Sequence, residues 1–205
     1  MSNGLFTLAG LPRLLLDPHA AFTTLAENPP DAGFVFTRLA LWLGVLPPVF
    51  AWIGMSKYGW QLGAVDAIHL PASVTLGIAA LYFICLLFGF ISVTVVARWM
   101  AATYGAKESL GAYFGLFTIV GAPLTVGSVM HLYPHVFFNL LVLVPSLIWS
   151  MFLLYRGLPV ALGLDSQRGM LMASSIIGYL FVAFVSLLGI SAFLWTKGIG
   201  PRIGV

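Results

Sequence analysis

Two histidines four positions apart are the residues whose types and spacing most readily suggest chemistry. His131 and His135 flank Tyr133 and Pro134, and two imidazoles held close together supply half of a typical zinc site. Pro134 argues against one continuous helix that would present both rings. No third ligand is close in sequence, although His69 could approach in three dimensions. We therefore interpret both histidines as interfacial side chains and keep metal binding as the alternative.

Catalytic constellations are otherwise missing from the sequence. It contains no nucleophile-elbow glycine pattern, no phosphate-binding loop, no paired His-Glu zinc motif and no pair of carboxylates inside an apolar stretch. No Asp, Glu, Lys or Arg lies at the centre of an apolar stretch either, whereas ion-coupled pumps generally need such groups. The sequence therefore predicts no enzyme, no cofactor and no proton-coupled pump.

Prolines and small polar side chains do lie inside the apolar stretches. Each proline frees a backbone carbonyl one turn earlier, which a neighbouring helix or water must satisfy. Kinked helices of this kind either shape a bundle or enclose a cavity for a small neutral ligand or part of a lipid. The candidate cavity residues are Pro47, Pro48, Thr118, Pro123, Thr125, Asn139, Pro145 and Ser150.

Two pairs of small residues at a spacing of four could permit close helix packing. They are Gly111 with Gly115, and Ser174 with Gly178. Such pairs let two helix backbones approach closely in a membrane. They do not distinguish a contact within one chain from the seam of a dimer.

The composition shows which solvent surrounds these residues. Hydrophobic residues make up 60% of the chain and charged residues only 7%, whereas a soluble domain has about 25% charged residues. So few charges could not cover a water-facing surface. The net charge of +3 is spread along the chain without clustering, so nucleic acid is not an expected partner.

Five apolar stretches are long enough to cross a bilayer, which takes about 20 helical residues. Charged residues such as Arg38, Lys57, Arg98 and Arg156 lie at their ends. The predicted spans are residues 39–56, 71–97, 110–132, 136–155 and 170–196.

The distribution of basic residues predicts the orientation, because lysine and arginine resist translocation. A cytoplasmic N-terminus places six basic residues inside and three outside, so we expect the N-terminus in the cytoplasm and the C-terminus outside. The inner set is Arg13, Arg38, Arg98, Lys107, Arg156 and Arg168, and the outer set is Lys57, Lys197 and Arg202.

The segment before the first span has the pattern of a short helix. Asp17 is a suitable cap, Pro18 suits the first helical position, and apolar residues recur at helical spacing until Pro29 and Pro30. We predict an amphipathic helix lying on the cytoplasmic face within residues 1–37, followed by a membrane domain in residues 38–205. The alternative is a linker with accidental periodicity.

Three sequence stretches resemble a known family. They are LLLDPHAAFTTLAENPP, YGAKESLGAYFGLFTIVGAPLTV and LYRGLPVALGLDSQRG. Together they resemble the bacterial branch of the Yip family, whose eukaryotic members were named as Ypt/Rab-interacting proteins. The resemblance implies five helices in a bacterial inner membrane and no enzyme chemistry. It does not bring a Rab partner to this chain, since the sequence shows no sign of a eukaryotic source.

The loops on the predicted inner side form the candidate interaction face. Arg156 stands where a cation meets lipid phosphates, and Pro159 is expected to break the helix. The loop after the second span lies on the same side. The residues assigned to this cytoplasmic interaction face are Tyr104, Lys107, Glu108, Arg156, Pro159 and Arg168.

These observations predict an all-α integral membrane protein, a bundle of five transmembrane helices preceded by a short amphipathic cytoplasmic helix. The leading hypothesis is a non-enzymatic scaffold that organises a membrane or binds a partner. Its expected partners are membrane lipids and either another protein or a second copy. The alternative is a transporter or channel for a small neutral solute, an ion or a lipid.

Overall fold

A computed structural model of the chain describes residues 6–61, 66–106 and 108–198, with their side chains except those of Leu8, Leu11 and Trp195. The fold is all-α. Two short helices come first, and five helices long and apolar enough to span a membrane follow within the described residues. They are α1 (Leu11–Leu16), α2 (Pro18–Glu27), α3 (Ala32–Tyr58), α4 (Ala72–Tyr104), α5 (Leu110–Leu132), α6 (Val136–Ala161) and α7 (Ser166–Thr196).

Side-chain caps explain where several helices begin. Asp17 accepts a hydrogen bond from the Ala20 amide at 3.1 Å, which confirms the predicted start of α2. Asp31 accepts one from the Phe34 amide at 2.9 Å, so α3 begins at Ala32, seven residues before the predicted span. The predicted boundary between residues 37 and 38 therefore lies inside a helix.

Two helices extend beyond their predicted ends. Helix α4 continues past Ala97 to Tyr104 and stops at Gly105, whose φ of +85° suits glycine. Helix α6 continues through Pro159 to Ala161, so the predicted break at that proline is wrong. Pro159 lies in the last turn and its carbonyl still accepts a hydrogen bond from the Leu164 amide at 2.9 Å. A proline so near a helix end costs only one backbone hydrogen bond.

The N-terminal helices pack against the long helices. The apolar side of α2, formed by Ala21, Phe22 and Leu25, is buried against α5 and α6. Leu14 of α1 is also fully buried. Protein side chains therefore cover the apolar face that the sequence pattern predicts to lie on the bilayer surface.

The buried core is concentrated at one end of the bundle. It is formed by α1, α2, the first turns of α3, α5 and α7 and the last turns of α4 and α6. At the other end the helices present most of their apolar side chains outward, as the second half of α7 shows with Phe181 at 66% and Ile190 at 56% exposed. We call the first end the packed end and the second the open end.

Candidate functional site

Five arginines lie at the packed end, and all five side chains are exposed. We call these residues, Arg13, Arg38, Arg98, Arg156 and Arg168, the arginine face. They come from α1, the start of α3, the last turns of α4 and α6 and the first turn of α7. The structure thus brings both arginines of the predicted interaction face to one end of the bundle.

Hydrogen bonds hold the helices beneath this face together. The Tyr104 and Ser175 hydroxyls are 2.6 Å apart and join α4 to α7. The Tyr155 and Ser174 hydroxyls are 3.0 Å apart and join α6 to α7. The predicted residue Tyr104 therefore has a structural role at this site, which the sequence did not reveal because Ser175 is distant in the chain.

Three glycines allow the N-terminal segment to approach the long helices. A Cβ atom on Gly111 would lie 1.7 Å from the Pro30 carbonyl oxygen, and one on Gly157 would lie 2.2 Å from the Phe22 ring. One on Gly115 would lie 2.6 Å from the Leu25 side chain. Gly111 and Gly115 thus serve a contact within the chain.

The second pair of small residues has a different environment. The Ser174 hydroxyl forms a hydrogen bond with the Tyr155 hydroxyl, and nothing lies within 4 Å of a Cβ placed on Gly178. The structure therefore shows close helix packing at the first pair and not at Gly178.

Most charges of the arginine face have no ionic partner among the described residues. Arg168 Nε lies 3.3 Å from Asp165 Oδ2, and this is the one ion pair in the described part of the chain. Arg156 lies 5.7 Å from the centre of the Phe152 ring. Glu108 is half-buried beside the face, whereas Lys107 lies outside the described residues. The face therefore offers guanidinium groups that are free to bind anions.

Pro159 contributes to the packing beneath the arginine face. A Cβ on Gly169 of α7 would lie 2.4 Å from Pro159 Cγ, so α6 and α7 meet closely at this point. The end of α4 also lies near α7, since a Cβ on Gly105 would lie 3.1 Å from Arg168 Nη1. Pro159 therefore helps to hold the two helices that carry Arg156 and Arg168.

The residues predicted to line one cavity are dispersed in the structure. Thr118 is 2% exposed and donates to the Phe114 carbonyl at 2.7 Å, and Ser150 is 4% exposed with no hydrogen-bond partner among the described residues. Neither can line an open aqueous path in this conformation. The Thr125 hydroxyl donates a hydrogen bond to the Gly121 carbonyl of its own helix. Pro47 and Pro123 are buried, and Pro145 is exposed. Pro48 lines an apolar pocket of about 200 Å³.

Asn139 lies in a different place, at the open end. It lines a pocket of about 420 Å³ together with His131 and Tyr82. The His131 Nδ1 and Asn139 Oδ1 atoms are 2.5 Å apart, and the Tyr82 hydroxyl is 3.3 Å from His131 Nε2. The sequence singles out His131 and Asn139 for separate reasons and does not reveal Tyr82, whose aromatic ring in an apolar helix gives no distinguishing signal.

The two histidines at the junction of α5 and α6 are engaged in local contacts. His135 Nδ1 accepts a hydrogen bond from the Phe137 amide at 3.2 Å, and its ring stacks on Tyr133. The described residues contain no group of three or more His, Cys, Asp or Glu side chains placed to hold a metal ion.

Comparison with known proteins gives consistent matches over most of the chain. The family model described as the Yip1 domain matches residues 13–187. Inner membrane protein YohC of Escherichia coli strain K12 is 28% identical over 163 residues, which are 80% of this chain and 84% of that protein. The protein of the same name from E. coli O6:H1 strain CFT073 gives the same values. No solved structure matches the chain significantly.

Proposed function

Since the chain belongs to the Yip1 domain family, we propose that it is a non-catalytic scaffold of a bacterial inner membrane that binds an acidic partner protein through its arginine face. The family assignment confirms the resemblance carried by the three sequence stretches. The location follows the name of the E. coli relative, an inner membrane protein. Five apolar helices supply the anchor for such a scaffold.

One observation carries the proposal. Arg13, Arg38, Arg98 and Arg156 are exposed at one end of the bundle and form no ion pair with a described carboxylate. Guanidinium groups bind carboxylates and phosphates through paired hydrogen bonds. An acidic surface facing this end would therefore meet several cations at once, which favours both encounter and orientation.

The packed end supports the proposal because it gives the arginines a fixed frame. Helix α1 packs against α5, helix α2 packs against both α5 and α6, and Tyr104 links α4 to α7. A surface whose backbone is held in place before binding loses less conformational entropy when a partner docks. The arginine face contains five of the six basic residues that charge counting assigns to the cytoplasm, so we place it on that side of the membrane.

A test reverses two charges at each end of the molecule. Arg98→Glu with Arg156→Glu changes the arginine face, and Lys57→Glu with Lys197→Glu is the matched control at the open end. Partners are captured by crosslinking in intact cells and quantified by mass spectrometry. We expect the first variant to recover an acidic partner at least about fivefold less than the wild type, since it replaces attraction with repulsion.

Two further readouts make the result interpretable. A compartment-sensitive reporter at the C-terminus shows whether a charge reversal has inverted the chain, which basic residues can do. Quantifying anionic lipids in the same preparations shows whether the arginines hold phosphates instead of a protein. Equal protein recovery from both double variants, with unchanged orientation, would contradict the proposal, as would loss of anionic lipid alone.

The transport alternative has less support from the geometry. It requires polar groups such as Thr118 and Ser150 to line a path across the bundle, and both are shielded from solvent in this structure. Asn139 does line a pocket, but the pocket lies at the open end.

A further inference from the structure

Helices α3, α4, α5 and α6 and the segment between α3 and α4 form the walls of the pocket at the open end. Met55 near the end of α3, Trp60 and Ile68 beyond it, Ile78 in α4 and Leu140 in α6 all contribute. Its volume of about 420 Å³ is within the range of about 300–1,000 Å³ that is usual for small-molecule sites. The pocket is therefore large enough to admit part of a lipid-sized molecule.

A hydrogen-bond chain fixes the orientation of the Asn139 amide. Its Nδ2 atom donates to the carbonyl oxygens of Tyr133, at 3.1 Å, and His135, at 3.0 Å. Exchanging the amide nitrogen and oxygen would set oxygen against two carbonyl oxygens. Oδ1 therefore points to His131 Nδ1, and in the neutral imidazole this nitrogen must carry the proton.

The tautomer of the His131 ring determines what the pocket offers to a ligand. With the proton on Nδ1, Nε2 has a free lone pair and accepts from the Tyr82 hydroxyl at 3.3 Å. This separation is longer than the usual distance of about 2.7–2.8 Å for a hydroxyl donor. A ligand hydroxyl can accept a hydrogen bond from the Tyr82 hydroxyl and donate one to His131 Nε2 at the same time. Two such hydrogen bonds would replace the one long contact between Tyr82 and His131.

The other described residues that line the pocket are apolar and uncharged. No Asp, Glu, Lys or Arg is among them, so a charged headgroup would be desolvated without an ionic partner. The wall residue Leu140 is 56% exposed on the outer surface of α6, where a membrane helix faces acyl chains. The pocket therefore suits a molecule that arrives from the bilayer with an apolar body and a neutral polar end.

Backbone contacts hold the walls of the pocket in position. The Gln61 amide donates to the Pro134 carbonyl at 3.0 Å, and the Val136 amide donates to the Gln61 carbonyl at 3.1 Å. These bonds join the segment after α3 to the turn before α6. A Cβ on Gly54 would lie 2.1 Å from the His131 carbonyl oxygen, so α3 and the last turn of α5 are also in close contact. Backbone contacts thus support the His131–Asn139 pair on two sides.

From these observations we propose that the pocket binds a neutral lipid with a free hydroxyl group, held by Tyr82 and His131 while its chain lies along Leu140. Tyr82 donates to the lipid oxygen, and His131 Nε2 accepts the lipid proton. Asn139 acts as a positioning residue because it sets the histidine tautomer. This site is at the opposite end from the arginine face and does not depend on the function proposed for that face.

The experiment uses the full chain in nanodiscs of phosphatidylcholine. The probe is a diacylglycerol with a photoreactive diazirine on one acyl chain, and its matched control is the same lipid with the hydroxyl converted to a methyl ether. Labelled peptides are identified by mass spectrometry. We expect labels near Trp60 and Leu140 and roughly fivefold more labelling by the free alcohol, the ratio that one hydrogen bond typically supplies.

Variants and competition decide between recognition of the hydroxyl and simple filling of the pocket. Tyr82→Phe should remove the preference for the alcohol while the methyl ether still labels, which shows that the pocket persists. Tyr58→Phe, at the same end and outside the pocket lining, should keep the preference. In the wild type, unlabelled diacylglycerol should compete roughly fivefold better than its methyl ether.

Three results would overturn the proposal. The first is equal labelling of the wild type by the two probes, and the second is a preference that persists in Tyr82→Phe. The third is labelling confined to peptides outside the pocket. If Tyr82→Phe fails to fold, the ratio between the two probes on the wild type still supports or overturns recognition of the hydroxyl.

Discussion

The two ends of the bundle are built on opposite principles. At the packed end Leu116 and Ile119 of α5 have no exposed surface, whereas at the open end Phe181 and Ile190 of α7 are more than half exposed. Both helices are apolar enough to span a membrane. The difference arises because α1 and α2 dock at the packed end and because α5 is enclosed by neighbouring helices, whereas α7 packs mainly against α4 and α6.

The two ends show that hydrophobicity alone does not locate the core of a membrane protein. In lipid an apolar side chain gains little by moving from acyl chains to protein, so close packing and small residues decide where helices join. Here the joining points are Gly111, Gly115 and Gly157, each facing the N-terminal segment. Substitutions at the two ends can test whether the stability of the protein is indeed divided between them in this way.

The largest effect is expected from truncating the buried aromatic ring of α2. Phe22→Ala removes a ring that is 3% exposed and should lower the free energy of unfolding by about 3–5 kcal/mol because it leaves a cavity. Phe181→Ala, on the open half of α7, should change it by less than about 0.5 kcal/mol. Unfolding by SDS titration in micelles measures both. Equal losses would contradict the division between the ends.

A smaller effect is expected from adding one methyl group to α5. In Gly111→Ala the new carbon would overlap the Pro30 carbonyl oxygen, and relieving this overlap should cost about 1–3 kcal/mol. Gly121→Ala in the same helix meets nothing within 4 Å and should be neutral or stabilising by up to about 1 kcal/mol. The same titration applies. A stable Gly111→Ala would show that the N-terminal segment is not docked as described.

The smallest effect is expected from removing one hydroxyl. Tyr104→Phe breaks the 2.6 Å bond between α4 and α7, while Ser175 keeps its bond to the Leu171 carbonyl. The loss should therefore be about 1 kcal/mol. Tyr58→Phe at the open end should change the unfolding free energy by less than about 0.5 kcal/mol. Thermal unfolding followed by intrinsic fluorescence can rank the stabilities of the two variants. A larger loss in Tyr58→Phe than in Tyr104→Phe would contradict the proposed difference between the two ends.

Much of the architecture was predictable because the signals were local. Span number and order follow from apolar length, and Asp17 with Pro18 marks the start of α2. Helix ends were less predictable, since α3 starts at a cap inside a loop-like stretch and α6 passes through Pro159. Hydropathy windows detect neither a cap nor a tolerated proline near a helix end.

The site residues were predictable only where charge marked them. Arg156 and Arg168 could be assigned to one side by counting basic residues. The pairs Tyr104 with Ser175 and Tyr82 with His131 could not be found, because their members are 71 and 49 positions apart and lie in helices of similar composition. Inspection of a single sequence does not reveal which faces of such helices meet. Pairing of this kind depends on three-dimensional packing.

The docking of α2 also has a consequence for biosynthesis. The ribosome makes α1 and α2 before α3, yet their binding surface on α5 and α6 is completed only after α3, α4, α5 and α6 have been inserted. During that interval Phe22 and Leu25 lack the surface that buries them in the folded chain. Closure over Gly157 is thus a late event in assembly, and chains that fail to insert α6 keep an apolar N-terminal segment that quality control can detect.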